Sequence, residues 1–379
     1  MKIITKNSEL EEFCVQAANS EYITIDTEFL RERTYFSKLC LIQLAVPGKE
    51  NDNAVLVDNL ANNLDLSPIY KLFQNENVVK VFHAARQDLE IFYLDSGIFP
   101  YPLFDTQIAA YLIGEEGLSL AFLLEKYFAV ELEKSLQKHD WSSRPLERHH
   151  LHYARSDTHW LLALKEILIA RLQQESLLDA SIEESYLLSQ KDFVDRKNEP
   201  TAYLRVKGSK KLSPEQKKRL YYLWALRENI AEKRDLPPFK IFSDSNIISL
   251  CQLKDCQTDS IAKVIGHRNA ARYANKIQEA LVEGDQWTED PPQYKRTTVQ
   301  KIYGQDIVIN QLKEWRSNKN SANIRMSLLP TNQQLKDISQ IPLQSIDDIQ
   351  KNMRNWQFQM WGEEIWNKLQ PSLEKINKR

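Results

Sequence analysis

Cysteine is scarce and scattered in this chain: Cys14, Cys40, Cys251 and Cys256 are the four in 379 residues. That is too few for a disulfide framework. The close pair Cys251 and Cys256 lacks the second pair that a structural zinc site needs. No apolar run approaches the roughly eighteen residues of a membrane span. The opening MKIITKNSELEEF turns polar and acidic within a few residues, which is not the pattern of a secretory signal. His139, His149, His150, His152 and His159 crowd one region, but no HExxH motif and no nearby cysteine accompany them. A zinc site is therefore not expected there. These absences describe a cytoplasmic protein with no membrane partner, expected as a monomer.

What the chain has in quantity is charge, unevenly placed. The formal net charge is −2 and 42% of residues are hydrophobic, enough for two or three domains with real cores. Residues 1–195 hold 18 Lys and Arg against 31 Asp and Glu, whereas residues 196–379 hold 32 against 21. An acidic front joined to a basic back suits a polyanion gripped at the back and processed at the front. Mutual attraction of the halves is the plainer alternative.

The stretch Tyr22–Glu28, YITIDTE, alternates with the period of a β-strand and sets Asp26 and Glu28 on one face. Before it, Asn7 to Ala18 reads as a helix capped by Asn7 or Ser8. After it, Leu39–Val46 and Ala54–Val57 read as buried strands, and Ser67–Gln74 as a short helix opened by Ser-Pro. Val78–Phe82 reads as a strand running into a helix that carries Asp88 in its first turn. From Asp105 to about Ser189 the pattern is helical throughout. The expected architecture is an α/β-type layer domain over 1–190, a mixed sheet covered by helices. A polar, basic linker follows over 191–212. Two all-helical modules are expected at 213–284 and 296–379, because Leu223, Leu226, Arg227 and Asn229 reappear 89 residues later as Leu312, Trp315, Arg316 and Asn318. A single helical domain is the alternative.

Strand ends and helix starts converge at one edge of an α/β sheet. Asp26 and Glu28, Asp88, and Asp157 in the helix YARSDTHWLLAL are thus expected together. Four carboxylates repel one another unless a cation intervenes, and hard divalent cations prefer oxygen. Such a set can hold two of them about 4 Å apart, as in phosphodiester cleavage. Tyr153 lies about 40° round the helix from Asp157 and His152 about 140°, so Tyr153 shares its face and His152 points elsewhere.

The pattern Asp-x-Glu, then Asp, then Tyr-x3-Asp resembles the tyrosine branch of the DEDD superfamily of 3′→5′ exonucleases. D26TEFLRERTYFSKLCLIQL, H83AARQDLEIF, Asp105-Thr106, D140WSSRPL and Y153ARSDTHWLL resemble the motif blocks of the ribonuclease D family in order. The basic helices beyond residue 210 are similar to its tandem HRDC modules. The resemblance implies a ribonuclease H-like exonuclease fold, with Asp26, Glu28, Asp88 and Asp157 as ligands of two Mg²⁺ or Mn²⁺ ions. It makes Tyr153 the water-positioning residue, and Phe29 and His83 contacts of the terminal nucleotide. It also implies RNA with a free 3′ end as substrate, tRNA precursors above all. Ala85 departs from the glycine or asparagine common at that point, without removing a ligand. A DNA exonuclease of the proofreading or Werner type would share these residues. A non-catalytic nucleic-acid-binding protein would lack one.

Two further contacts are expected. Arg205–Arg219, RVKGSKKLSPEQKKR, carries seven basic residues against Glu215 alone. Lys207, Lys210, Lys211, Lys217, Lys218 and Arg219 are candidate phosphate contacts, with Tyr203, Tyr221, Tyr222 and Trp224 near to stack bases. A solvated face is the bland reading of that run. Arg144 is a second phosphate or leaving-group candidate, or else a structural ion pair.

Overall fold

The computed structural model describes residues 2–31, 33–48, 54–132, 136, 139–189, 199–293 and 303–377. It divides into two compact units. The first comprises Met1–Glu28, Leu39–Lys191 and Thr298–Arg379, and the second Phe29–Lys38 and Asp192–Thr297.

The first unit is built on a sheet of β1 (Lys2–Ile4), β2 (Tyr22–Leu30), β3 (Lys38–Ala45), β4 (Ala54–Val57), β5 (Val79–Phe82) and β6 (Leu103–Asp105). Its spatial order is β1-β4-β3-β2-β5-β6. Pairing is parallel for β1 with β4, β2 with β5, and β5 with β6, and antiparallel for β3 with β4. The sheet is therefore mixed, with β2 in its interior. Helices α1 (Asn7–Ala17), α2 (Ser67–Phe73), α3 (Arg86–Ser96), α4 (Thr106–Leu112), α5 (Leu120–Phe128), α6 (Arg148–Gln174) and α7 (Leu178–Ser189) accompany it.

Alternation in β2 suggests one face open to water, but Tyr22, Ile23, Thr24 and Ile25 are all buried. The polar member is satisfied, since the Thr24 hydroxyl donates to the Thr158 carbonyl of α6 at 2.9 Å. Lys80, in the middle of β5, has no exposed surface. Its ammonium donates to the carbonyls of Asn75 and Tyr101, and burial pushes its pKa down to about 7. The expected cap of α1 is not formed by Asn7 or Ser8: Lys6 stands at the N-cap without a side-chain bond. Asn7 instead binds the backbone of Asn63 and Asp65. The short strand β6, whose three buried residues are too few to show a period, ends at Asp105, where the helical stretch begins with α4.

The rest of the first unit is helical: α13 (Gln305–Ser321), α14 (Asn332–Ser339), α15 (Ile346–Gln350) and α16 (Asn355–Asn377). This segment clusters with the sheet domain rather than standing apart. Arg325 donates to the Ile113 carbonyl and pairs with Glu175, while Glu183 accepts from the backbone amides of Asn355 and Trp356.

The second unit is formed mainly by α8 (Pro214–Lys233), α9 (Pro238–Ile241), α10 (Asp244–Cys251), α11 (Thr258–Ile265) and α12 (His267–Gln286). Ser213 and Gln216 make a reciprocal capping box at the start of α8. The stretch expected as a linker is not one over its described part: Ala202, Tyr203, Val206 and Leu212 are buried in this unit's core. Its apolar residues are spaced too irregularly between lysines for sequence to reveal that anchoring. Residues 190–198 lie outside the described set.

Both halves of the proposed repeat use their arginine alike. Arg227 donates to the Phe242 carbonyl and pairs with Asp244, and Arg316 donates to the Pro330 carbonyl. Each reaches the turn before the next helix, which Ser243 or Thr331 caps.

Candidate active site

Four carboxylates meet at one edge of the first unit, carried by three elements. Asp26 and Glu28 lie on β2. The parallel register sets Thr24 opposite Val81, so two residues further along stand Asp26 and His83. Asp88 enters in the first turn of α3. Asp157 comes from α6, which is tied to β2 through the Thr24–Thr158 bond and through Lys165, whose ammonium lies 3.7 Å from the centre of the Tyr22 ring.

The turn between β5 and α3 is held by a residue to which sequence assigned no role. Asp105 accepts from the amides of Ala84 (3.1 Å), Ala85 (2.8 Å), Gln107 (2.8 Å) and Ile108 (3.3 Å). It therefore caps α4 and fixes the turn that aims His83 and Asp88. Ala84 sits there at φ 58°, a left-handed conformation that a Cβ disfavours. The two amide bonds to Asp105 offset that strain. Asp-Thr-Gln before an apolar helix was the cap signal that could have found it.

Electrostatics identify the edge as unusual. Burial raises the pKa of Asp26 to about 6, against one backbone amide bond from Thr27. Burial, with the charge of Asp26, raises Asp157 to about 8. Glu28 is pushed well up by burial and then by Asp26, Asp157 and Asp88. Asp88 is pushed well up by burial and Asp26 despite the Thr27 hydroxyl that donates to it. Glu28, Asp88 and Asp157 are thus each burdened by the charge of Asp26.

His83 is driven the other way: burial lowers its pKa, opposed by Asp105. Its Nδ1 lies 2.9 Å from the Thr106 hydroxyl, whose own proton goes to the Phe82 carbonyl at 3.0 Å. Nδ1 is therefore the donor in that pair, and a backbone hydrogen bond at Leu118 also opposes the downward shift of the ring.

A cavity of about 310 Å³ opens beside these groups, lined by Asp26, Asp157, His83, Gln107, Tyr153 and apolar residues including Ile25 and Leu161. Tyr153 is half-buried on its wall, whereas His152 is exposed. Phe29 follows Glu28 on β2 and is half-buried.

The donor set suits a hard divalent cation. It is all carboxylate, it lies in a buried spot of one sign, and Asp157 Oδ1 is buried with no hydrogen-bond partner. Among the described residues no group of three or more His, Cys, Asp or Glu side chains stands close enough together to hold a metal ion as they lie.

The other expected contacts lie elsewhere and are used differently. Arg144 is not free for a phosphate. Its Nε and Nη2 grip Asp58 at 2.8 and 2.5 Å, and its remaining hydrogens go to the carbonyls of Trp141, Ser143 and Cys40. All five of its donors are consumed inside the protein. In the second unit, Arg219 clamps Asp285 and the Leu253 carbonyl, and Lys218 donates to the Trp287 carbonyl. Lys207, Lys210 and Lys211 are exposed and Lys217 is half-buried. The aromatic residues expected to stack bases are core members: Tyr203 is fully buried, and Tyr221 and Tyr222 pack on Trp287.

The chain is similar to known proteins. A family model described as 3′-5′ exonuclease matches residues 1–173, and one described as HRDC domain matches 216–281. The chain is 41% identical over 285 residues to ribonuclease D of Jannaschia sp., covering 74% of this chain and 72% of that one. The chain belongs to the ribonuclease D family. The ribonuclease D fold is matched over nearly its whole length: the crystal structure of Escherichia coli RNase D aligns with TM-score 0.76 and 23% identity over 98% of each chain. The catalytic core of RRP6 from Trypanosoma brucei aligns with TM-score 0.62 and 26% identity, over 75% of this chain and 79% of that one. As in the ribonuclease D family, the front domain here is an enzyme domain of the 3′-5′ exonuclease class.

Proposed function

We propose that this chain is a divalent-metal-dependent 3′→5′ exoribonuclease that releases nucleoside 5′-monophosphates from a free RNA 3′ end. Membership in the ribonuclease D family supports RNA as substrate, and the relative from Escherichia coli is described as acting in structured RNA processing. Precursors of tRNA fit that class. The exonuclease domain spans 1–190, followed by HRDC-like segments at 213–284 and 296–379. No described helix is long and apolar enough to cross a membrane. A monomer in the cytoplasm is consistent with this reading.

The observation that carries it is the meeting of half-buried Asp26 and Glu28 with buried Asp88 and Asp157, one Asp157 oxygen being unpartnered. These four would hold two Mg²⁺ or Mn²⁺ ions, which when bound supply an acidified water and charge stabilisation for the departing 3′ oxygen. Tyr153 presents its hydroxyl from the cavity wall to orient that water. His83 and Phe29 contact the terminal nucleotide. Lys207, Lys210, Lys211 and Lys217 are the remaining phosphate contacts.

The test is mononucleotide release from a 3′-extended tRNA and a matched DNA strand, with Mg²⁺ or Mn²⁺. Stepwise release from RNA that is abolished by Asp26→Asn, crippled by Tyr153→Phe and spared by His152→Ala is expected. Release from DNA in preference to RNA, or no metal-dependent release, would overturn the reading.

A further inference from the structure

The loop entering α6 carries Trp141, whose side chain is 1% exposed. Its ring centre lies 5.9 Å from that of Tyr153, with the planes 31° apart. His139 meets the indole edge-on at 5.3 Å and His150 meets it at 6.0 Å, so Trp141 is wedged between imidazoles and the phenol. The indole N–H is buried and has no acceptor. Buried tryptophans usually satisfy that hydrogen, so this ring is kept for its broad face rather than for its polar end.

From the other side Arg144 fixes the loop. It holds the Trp141 and Ser143 carbonyls at 2.8 Å each, while gripping Asp58 and the Cys40 carbonyl. Cys40 lies in β3, and Asp58 directly follows β4. The indole is thereby pinned to the sheet that carries Asp26 and Glu28.

We infer that Trp141 is a positioning residue for Tyr153, held in place by the Arg144–Asp58 clamp. The inference rests on the reading of Tyr153 as the residue that orients the attacking water. A half-buried tyrosine on a helix has alternative staggered side-chain positions. A wide rigid wall behind the ring selects the one that aims the hydroxyl into the cavity. An error of about 1 Å in such an aim is worth up to about a hundredfold in rate.

The experiment uses the full chain with Mg²⁺. Trp141→Phe, Trp141→Ala and Asp58→Asn are each made with Tyr153 present and in a Tyr153→Phe background. Trp141→Ala is expected to lower kcat about tenfold or more with KM moving less than about threefold, and Trp141→Phe to restore most of the rate. In the Tyr153→Phe background the same change costs less than about twofold further, because its route is already cut. Equal losses in both backgrounds would overturn the inference.

Asp58→Asn loosens the clamp without opening the core, and serves if Trp141→Ala does not fold. A second readout does not need catalysis: 3-fluorotyrosine at position 153 gives one sharp ¹⁹F resonance, which shifts and broadens in Trp141→Ala and in Asp58→Asn. An unchanged resonance in both variants also overturns the inference. If the resonance responds but Tyr153→Phe leaves release intact, the positioning stands and the water role of Tyr153 falls.

Discussion

Two stretches of this chain are dense in charge of one sign, and the fold treats them in opposite ways. At the edge of β2, the carboxylates of Asp26, Glu28, Asp88 and Asp157 are gathered where the charge of Asp26 raises the pKa of the other three. In Arg205–Arg219, several cations already have partners: Arg205 with Glu199, Arg219 with Asp285, and Lys218 with the Trp287 carbonyl. Density of charge in sequence is the same signal in both places. What separates a site from scaffolding is whether the folded chain leaves that charge unanswered. The acids are half-buried or buried with repulsion unrelieved, an arrangement unfavourable for stability and therefore informative about function. Of the bases, Lys218 and Arg219 tie α8 to its surroundings.

The sharpest way to break that contrast is to remove one charge from each place. Asp26→Asn should lower the rate of mononucleotide release on the order of a thousandfold or more. It should leave the metal-free melting temperature unchanged or raised, because one repelling charge is gone. A collapse of the fold in this variant would mean that the acid is structural. Arg219→Ala should do the reverse, costing about 2 kcal/mol of stability in urea melts, since it strands Asp285 and two carbonyls. Unchanged stability would return Arg219 to the list of free phosphate contacts.

A third expectation concerns pH. The folded pKa values of Asp26 and Asp157, about 6 and about 8, lie above the ordinary 3.8. Stability from these protonated acids is fully present below about 3.8 and is lost as pH rises through about 6 and then about 8. Metal-free protein should therefore lose on the order of a few kcal/mol between pH 5 and 9, and saturating Mg²⁺ should flatten the fall. A metal-free protein whose melting temperature is level across that range contradicts the burial of uncompensated acids. The smallest effect belongs to the exposed lysines. Lys210→Ala with Lys211→Ala should leave melting unchanged and weaken RNA binding several-fold, reducing the slope of affinity against salt by about one to two. No change in that slope would remove these lysines from the RNA path.

The acids were legible because their spacing reports both elements and faces: Asp26 and Glu28 two apart on a strand, Tyr153 and Asp157 four apart on a helix. The strands β3, β4 and β5 were legible for a similar reason, as apolar runs of the right length. The use of Arg144 and Arg219 was not. Their partners Asp58 and Asp285 are 86 and 66 residues away in the chain, and no local pattern announces which distant carboxylate will arrive. Tyr203 and Tyr221 were misread likewise, because an aromatic residue beside lysines looks the same whether it faces solvent or core. Thr27 and Asp105 were overlooked as parts of the site because their contribution is to hold other groups. Their hydrogen bonds to Asp88, Ala84 and Ala85 exist only in the folded chain.

The central claim is that the carboxylate edge is completed by divalent cations. Titration of Mn²⁺ into metal-free protein, followed by electron paramagnetic resonance, tests it most directly. Two ions bound per chain, with binding sharply weakened in Asp26→Asn and in Asp157→Asn, is the predicted result. Wild type that takes up no Mn²⁺, or variants that bind it as wild type does, would contradict the account.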